Sequence, residues 1–290
     1  MGDFLSAATS IAFHGLAFAM VLYLISVGLS VTMGLMGFVN LAHGAFAMAG
    51  GYAVTSLMSH LGLPFFAALA AAIVIGVAAS FVLERLLYQR LYGGDELDQV
   101  LMTIGLVFMT VGAATYYWGP VAQPIRPPDF LSGQIELGGR DFPAYRSFLI
   151  LCGVFLVTGL WLALERTRLG AQVRAAVDNL RMAQSLGINT SRLFALTFAL
   201  GSGLAALGGV LGAEFLPIVP GYALGNLVLF LIVVAVGGLG SIRGPFLAAL
   251  LIGITDTAFK YIAPELGAFF IYALTMALLL WRPRGLFGRA

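Results

Sequence analysis

Charge is scarce in this chain. Only 10% of its 290 residues are charged, whereas 60% are hydrophobic, and the mean hydropathy is +0.99. Soluble domains carry about 25% charged residues, so the composition excludes an ordinary soluble domain. Apolar runs near the roughly 20 residues of a membrane span follow one another, and they lack the alternation that a porin-type barrel requires. We therefore expect an all-α polytopic membrane protein.

Several kinds of chemistry are also missing. The single Cys152 excludes an intrachain disulfide. Lys260 is the only lysine, and no loop of the form G-x-x-x-x-G-K-[ST] occurs, so any ATP must be hydrolysed by another chain. His14, His43 and His60 lie far apart, without companion ligands at metal-site spacing. We therefore expect no catalytic site, no metal and no bound cofactor.

The acidic stretch "GGDELDQV" has two interpretations. Asp95, Glu96 and Asp98 could form a Mg²⁺ site, as in a membrane-embedded transferase. Carboxylates at the start of a span also complement the positive end of the helix dipole. We favour the second interpretation, because Mg²⁺ sites normally bring substrate phosphates or a second carboxylate cluster.

The apolar runs divide into candidate spans. The first thirty residues lack the basic region and cleavage site of a secretory signal, so the N-terminus is expected to be retained as a span. Residues 34–40 form only a short break, so the first two candidates could also be one span plus a half-helix. Eight and nine crossings therefore both stay open. The candidates are 11–33, 41–58, 64–83, 98–117, 147–164, 193–215, 225–239, 245–262 and 267–281.

Basic residues predict the orientation, because Lys and Arg are retained on the cytoplasmic side. With nine spans, four basic residues fall in outer segments: Arg126, Arg140, Arg146 and Lys260. Eleven fall on the inner side: Arg85, Arg90, Arg166, Arg168, Arg174, Arg181, Arg192, Arg243, Arg282, Arg284 and Arg289. The asymmetry favours a cytoplasmic C-terminus, with the proline-rich segment 118–146 outside. The whole chain, 1–290, is then one transmembrane domain.

The long inner loop 165–192 has an amphipathic pattern. Leu169, Val173, Val177, Leu180 and Ala183 recur at helical spacing. On the opposite face are Arg174, Asp178 and Arg181. Gly187 would end this helix in a left-handed turn, and residues 189–191 can cap the next span. Such a helix could lie on anionic lipid or dock onto a cytoplasmic protein, and the pattern leaves both open.

The stretch "GLSVTMGLMGFVNLAHGAFAMAGGYAV" indicates an interrupted helix. Backbone that leaves the helix inside a bilayer is tolerated only where it lines a cavity or is buried in protein, and transporters use such breaks at their substrate sites. Gly34, Gly37 and Asn40 are expected to make the break. Asn40 and His43 can satisfy the freed backbone groups. Close helix packing is expected at the glycines Gly44, Gly50 and Gly51.

A second break repeats part of this pattern. "NLAHGAFAMA" and "GSIRGPFLAA" lie 200 positions apart, so that His43 matches Arg243 and Gly44 matches Gly244. Corresponding interruptions in two halves point to a transport site, although glycine-rich membrane helices also resemble each other by composition. The candidate pathway residues are Gly37, Asn40, His43, Gly44, Gly240, Ser241, Arg243 and Gly244.

Other polar residues in or beside the spans have both structural and functional interpretations. His43 could carry protons, but a hydrogen-bonding residue at a helix end is favoured because no carboxylate lies nearby in sequence. Asp256 and Lys260 are four residues apart and are expected to neutralise each other. Glu214 is expected at the outer end of its span.

Four long motifs resemble the bacterial branched-chain amino acid ABC transporter permeases of the LivH/LivM type. They are "GFVNLAHGAFAMAGGY", "RTRLGAQVRAAVDNLRMAQSLGIN", "VVAVGGLGSIRGPFLAALLIG" and "LLLWRPRGLFGR", in the family's order from about residue 28 onward. The length suits the shorter, LivH-like member. The resemblance implies that 169–187 is a coupling helix that inserts into an ATPase. The coupling residues it implies are Leu169, Gly170, Arg174, Asp178, Arg181 and Gly187.

The resemblance also implies partners and a location. They are a second, LivM-like permease chain or a second copy of this one, two cytoplasmic ATPase chains and a periplasmic binding protein, at the bacterial inner membrane and without nucleic acid. Branched-chain amino acids, or similar solutes such as amides, urea and aromatic amino acids, are the expected cargo. An ion-coupled secondary transporter would explain the broken helices equally well, but not the long amphipathic loop.

Overall fold

The protein is a bundle of α-helices. The computed structural model describes residues 2–136 and 140–288, apart from the side chains of residues 2–5 and 268. In chain order the helices are α1 (Gly2–Met36), α2 (His43–Leu61), α3 (Phe65–Leu86), α4 (Glu96–Trp118), α5 (Ala144–Arg166), α6 (Arg168–Asp178), α7 (Leu180–Ser185), α8 (Thr190–Leu211), α9 (Tyr222–Gly225), α10 (Leu227–Gly237), α11 (Arg243–Ile262) and α12 (Gly267–Trp281). Short 3₁₀ turns lie at Tyr88–Leu91, between α3 and α4, and at Asp129–Leu131, between α4 and α5.

Each of the nine predicted spans falls on a helix. Within the described residues, six helices are long and apolar enough to cross a membrane: α1, α3, α4, α5, α8 and α11. The shorter α10 has 11 residues, or about 16 Å of helix, against a hydrocarbon core of about 30 Å. The prediction of an all-α, multi-pass membrane protein with interrupted helices is confirmed.

Helices α1 and α8 form the centre of the bundle. The most apolar stretches of α1 and α8 are 83% and 78% buried, whereas that of α5 is 11% buried. Small residues let the central backbones touch. A Cβ added to Gly28 of α1 would lie 2.6 Å from the Gly201 carbonyl oxygen of α8, and one added to Gly50 of α2 would lie 2.7 Å from Ala206 Cα. The close packing predicted for Gly50 is therefore confirmed.

One end of the bundle carries a β-hairpin. Strand β1 (Gln134–Glu136) pairs antiparallel with β2 (Asp141–Pro143), a small addition to the all-α prediction. At this hairpin end, Arg146 of α5 donates to the Glu214 carboxylate at 2.7 Å and lies 2.8 Å from His14 Nδ1 of α1. Glu214 lies three residues after Leu211, the last residue of α8, so its expected position at an end of that span is confirmed.

The opposite end is formed by α6, α7 and the C-terminal tail. The tail returns to the bundle, because Leu286 N donates to the Val236 carbonyl at 2.7 Å. Segments 165–192 and 282–288 thus lie together at this α6 end, as the basic residues predict. Arg146 and Lys260 lie toward the hairpin end, and the Lys260 ammonium lies over the Phe18 ring there. The eleventh inner basic residue, Arg289, lies outside the described residues.

Candidate functional site

The first predicted interruption lies between α1 and α2. The chain leaves α1 at Gly37, whose φ is +59°, and His43 begins α2. Gly34 lies inside α1, so its predicted place in the break is wrong. Its lack of a side chain serves packing instead, since a Cβ there would lie 2.1 Å from Gly240 Cα.

Asn40 and His43 are buried and hydrogen-bonded. The Asn40 Oδ1 accepts from Ala42 N at 3.1 Å and from the Tyr88 hydroxyl at 3.0 Å, so Asn40 satisfies backbone at the break as predicted. His43 Nε2 lies 2.8 Å from the Ile25 carbonyl oxygen. Because a carbonyl only accepts, Nε2–H is the donor, and His43 occupies the hydrogen-bonding helix-end position that the sequence favours.

The contact with Ile25 locates the start of α2. Ile25 precedes the end of α1 by eleven residues, or about 16 Å of helix. The segment 37–42 therefore runs back along α1, and α2 begins inside the bundle rather than at its end. Gly44 continues the close packing there, because a Cβ on it would lie 3.1 Å from the Ala223 carbonyl oxygen of α9.

The second predicted interruption lies between α10 and α11 at the α6 end. Gly238 and Gly240 have φ values of +95° and +76°. Gly240 N donates to the Ser30 carbonyl of α1 at 3.0 Å, and the Ser241 hydroxyl accepts from Gly244 N at 3.1 Å. The Gly240 N–H of this break is thus satisfied by α1, and the Ser241 side chain of the break satisfies an N–H in the first turn of α11.

The two matched residues of the breaks each begin a helix, but their side chains lie in different environments. His43 and Arg243, matched in the predicted repeat, are each the first residue of their helix. The His43 side chain is buried, whereas the Arg243 side chain is 62% exposed. The pathway candidates therefore form two groups. Asn40, His43 and Gly44 are buried inside the bundle, whereas Gly37, which is exposed, and the residues of the α10–α11 break lie at the α6 end.

The predicted coupling helix is two helices rather than one. Asn179 leaves the helix with φ −155° and ψ 98°, and its side chain accepts from Met182 N at the start of α7. Asn favours such N-cap positions because its side chain competes for backbone donors. Two other local predictions are confirmed: Gly187 has a φ of +82°, and Asn189 caps α8 by accepting from Arg192 N at 3.0 Å.

The residues of α6 and α7 that face the bundle differ in part from the predicted apolar face. Of the predicted apolar face, Val173 and Ala183 are buried in the bundle, whereas Leu169 is 56% exposed and does not hold a place against the bundle. Gly170 holds that place instead. A Cβ on Gly170 would lie 2.2 Å from the Leu164 carbonyl oxygen, so α6 turns tightly against the last turn of α5.

Arg174 also departs from the predicted charged face. Asp178 and Arg181 are exposed, but the Arg174 side chain is only 38% exposed and its guanidinium lies 3.9 Å from the Glu165 carboxylate at the end of α5. The α6 face predicted to contact a partner is therefore narrower than the sequence pattern indicates.

Glu165 joins the two groups of predicted residues. Its carboxylate lies 3.9 Å from Arg174 of α6 and 3.4 Å from Arg243 of α11. The Arg243 guanidinium also lies over the Trp161 ring, 5.9 Å from its centroid. A cavity of about 230 Å³ lies among these side chains, Gly240 and the tail. The sequence marks Glu165 only as an acid beside basic neighbours, and its partners are distant in sequence.

Tyr92 belongs to a second polar cluster near the α6 end. Its hydroxyl donates to the Glu84 carboxylate at 2.7 Å, and Gln89 donates to the same carboxylate at 3.1 Å. Burial first, and then the hydrogen bond to Glu84, raises the pKa of Tyr92 above its usual range, so Tyr92 stays a neutral donor. These contacts satisfy the buried Glu84 at the end of α3.

The acidic residues Asp256, Glu96 and Asp98 fit structural roles. Lys260 Nζ lies 2.8 Å from Asp256 Oδ2, which confirms the predicted pair. Glu96 and Asp98 lie in the first turn of α4, where they complement the helix dipole. Within the described ranges, no group of three His, Cys, Asp or Glu side chains is arranged to hold a metal ion.

Comparison with known proteins places the chain in a family. The model of the branched-chain amino acid transport system permease component matches residues 11–279. The chain is 32% identical over 290 residues to the high-affinity branched-chain amino acid transport system permease protein BraD of Pseudomonas aeruginosa, covering 95% of this chain and 94% of BraD. No solved structure matches.

Two further relatives come from Escherichia coli K12. The chain is 28% identical over 293 residues to the permease protein LivH, covering 96% of this chain and 94% of LivH. It is 27% identical over 291 residues to LivM, covering 92% of this chain and 68% of LivM. The family match and these relatives span the two breaks and the α6–α7 segment, so the chain belongs to the branched-chain amino acid transport system permease family.

Proposed function

We propose that the chain is the LivH-like permease subunit of an ATP-binding-cassette importer for branched-chain amino acids or similar small amphipathic solutes. The names of BraD, LivH and LivM support this substrate class. A LivM-like chain or a second copy of this one completes the pathway. A periplasmic binding protein delivers the solute, and two cytoplasmic ATPase chains drive its passage.

The α6 end is then cytoplasmic and the hairpin end periplasmic, in a bacterial inner membrane. The basic residues of 165–192 and of the tail support this orientation. Because the sequence contains no phosphate-binding loop, the partner ATPases bind and hydrolyse the ATP, and the permease itself needs no cofactor.

The observation that carries the proposal is the position of Glu165. It ties α6 to α11 through Arg174 and Arg243 at 3.9 and 3.4 Å. A movement imposed on α6 by a docked ATPase would therefore act on the α10–α11 break. Exposed ion pairs are worth about 0–1 kcal/mol of stability, so the loss of either pair should change the stability of the fold little.

Reconstitution in proteoliposomes tests the proposal. The chain, its permease partner and two ATPase chains should co-purify and take up leucine only with ATP and the loaded binding protein. Glu165→Gln should leave assembly intact but reduce the stimulation of ATP hydrolysis by the binding protein several-fold.

A matched control is Glu96→Gln, which makes the same change in the first turn of α4. It should leave the stimulation unchanged. Uptake driven by an ion gradient without ATPase chains would contradict the proposal and favour a secondary transporter. Normal stimulation in Glu165→Gln would remove Glu165 from the coupling route.

A further inference from the structure

One face of α1 carries buried hydroxyl groups. Tyr23, Ser26 and Ser30 recur at i, i+3 and i+7, so they line one side of the helix, and all three are fully buried. We call these residues the α1 hydroxyl face. The Tyr23 ring meets the Phe246 ring of α11 edge-on, with centroids 5.5 Å apart. The Ser30 hydroxyl lies 3.3 Å from the Gly238 carbonyl oxygen. Ser26, between them, therefore faces the α10–α11 region.

The hydroxyls of Tyr23 and Ser26 have no hydrogen-bond partner in the part of the chain that the structure describes. Serines and threonines in membrane helices commonly bond a carbonyl of the preceding turn, as Thr32 does with Gly28 at 2.9 Å on this same helix. An unpartnered buried polar group in a native protein requires an explanation, and a substrate pathway is one such explanation inside a membrane.

Other unpartnered buried hydroxyls lie on separate helices. They belong to Tyr52, Ser147, Ser202 and Tyr222. Tyr23 and Ser26 differ because they share a face of one helix and lie opposite an interrupted one. The break opposite them contains two glycines with positive φ, and Arg243 connects α11 to Glu165.

We infer that Tyr23 and Ser26 bind the transported solute when the α10–α11 region separates from α1. The inference rests on the proposed function and names the part of the pathway that carries the solute. A hydroxyl donates to a carboxylate and accepts from an ammonium group, so the pair suits a small zwitterionic amino acid. The Phe246 ring beside Tyr23 offers an apolar surface for the solute's side chain. In the described state the face is closed.

The test compares transport with stability in the reconstituted complex. Tyr23→Phe and Ser26→Ala should each lower kcat/KM for leucine uptake about tenfold or more, about 1.4 kcal/mol, while Tm stays unchanged or rises. Removing an unpaired buried hydroxyl is near neutral or stabilising for a fold, so lost transport without lost stability assigns the hydroxyl to the solute.

Two matched serine variants serve as controls. Ser147→Ala removes an unpartnered hydroxyl from α5 and should transport normally. Ser30→Ala removes a hydroxyl that bonds the Gly238 and Ser241 carbonyls and should lower Tm. The inference is overturned if Tyr23→Phe and Ser26→Ala transport like the unmodified chain, or if they lose transport only with a fall in Tm matching that of Ser30→Ala. An unmodified complex without ATP-driven uptake would instead overturn the proposed function.

Discussion

Single glycines set the geometry of the α6 end for two different physical reasons. Gly187 has a φ of +82° with open space around it, whereas Gly170 has ordinary φ but no room for a side chain. The first requirement concerns the backbone of one residue, and a local pattern predicts it. The second arises where two helices meet, and the sequence does not reveal it.

Gly187→Val should strain the entry to α8, because a β-branched residue in the left-handed region costs about 1–2 kcal/mol. We expect a lower Tm in detergent and weaker ATPase stimulation, at normal membrane levels. Gly187→Asn is the matched control, since Asn tolerates this conformation, and it should stay close to the unmodified chain. Equal losses in both variants would show that conformation is not the cause.

At the scale of elements, the α5–α6 corner holds the coupling segment against the bundle. Thr167 caps α6 by accepting from Gly170 N at 3.0 Å. Val173 and Ala176 of α6 pack in a small cluster with Leu35 of α1. The corner therefore fixes the distance between α6, the end of α5 that carries Glu165, and the end of α1.

Gly170→Ala should push α6 away from α5, because the added Cβ would lie 2.2 Å from a backbone oxygen that cannot move freely. We expect insertion and partner assembly to persist while ATP hydrolysis loses its stimulation by the binding protein. Gly159 lies in α5, and a Cβ added to it would meet open space. Gly159→Ala should therefore leave the stimulation of ATP hydrolysis unchanged. Normal stimulation in Gly170→Ala would show that the α5–α6 spacing does not matter for coupling.

At the scale of the whole molecule, ion-paired residues lie at the two ends of the bundle, and the centre between them is closely packed through glycines. The hairpin end carries the Arg146–Glu214 ion pair at 2.7 Å, and the α6 end carries the paired residues around Glu165. Arg-rich segments lie at the α6 end, which is the arrangement that retention of basic residues in the cytoplasm requires.

Cysteine labelling tests this arrangement in cells. In a Cys152→Ser background, Phe130→Cys should react with an impermeant maleimide from the periplasm, because Phe130 is 70% exposed at the hairpin end. Asp178→Cys should react only after the inner membrane is opened. Reaction of both positions from the same face would contradict the two-ended arrangement.

The sequence by itself determined features that depend on composition and on a few neighbouring residues. The membrane class, the positions of the nine helical segments, the turns at Gly37 and Gly187 and the cap at Asn189 are all of this kind. They follow because apolar length, φ preference and capping act within a few residues of chain. The resemblance carried by the four motifs extended this local information to the family.

Only the tertiary structure decided how distant segments meet. Glu165 bonds Arg243, 78 residues later, and Gly34 packs on Gly240. Asn179 divided the predicted coupling helix, and the packing of α6 on the end of α5 left Leu169 exposed and Arg174 beside Glu165. Only the packing shows that the hydroxyls of Tyr23 and Ser26 are buried without a hydrogen-bond partner among the described residues. Such features depend on which helix faces are brought together, and a pattern within one helix cannot specify the face opposite it.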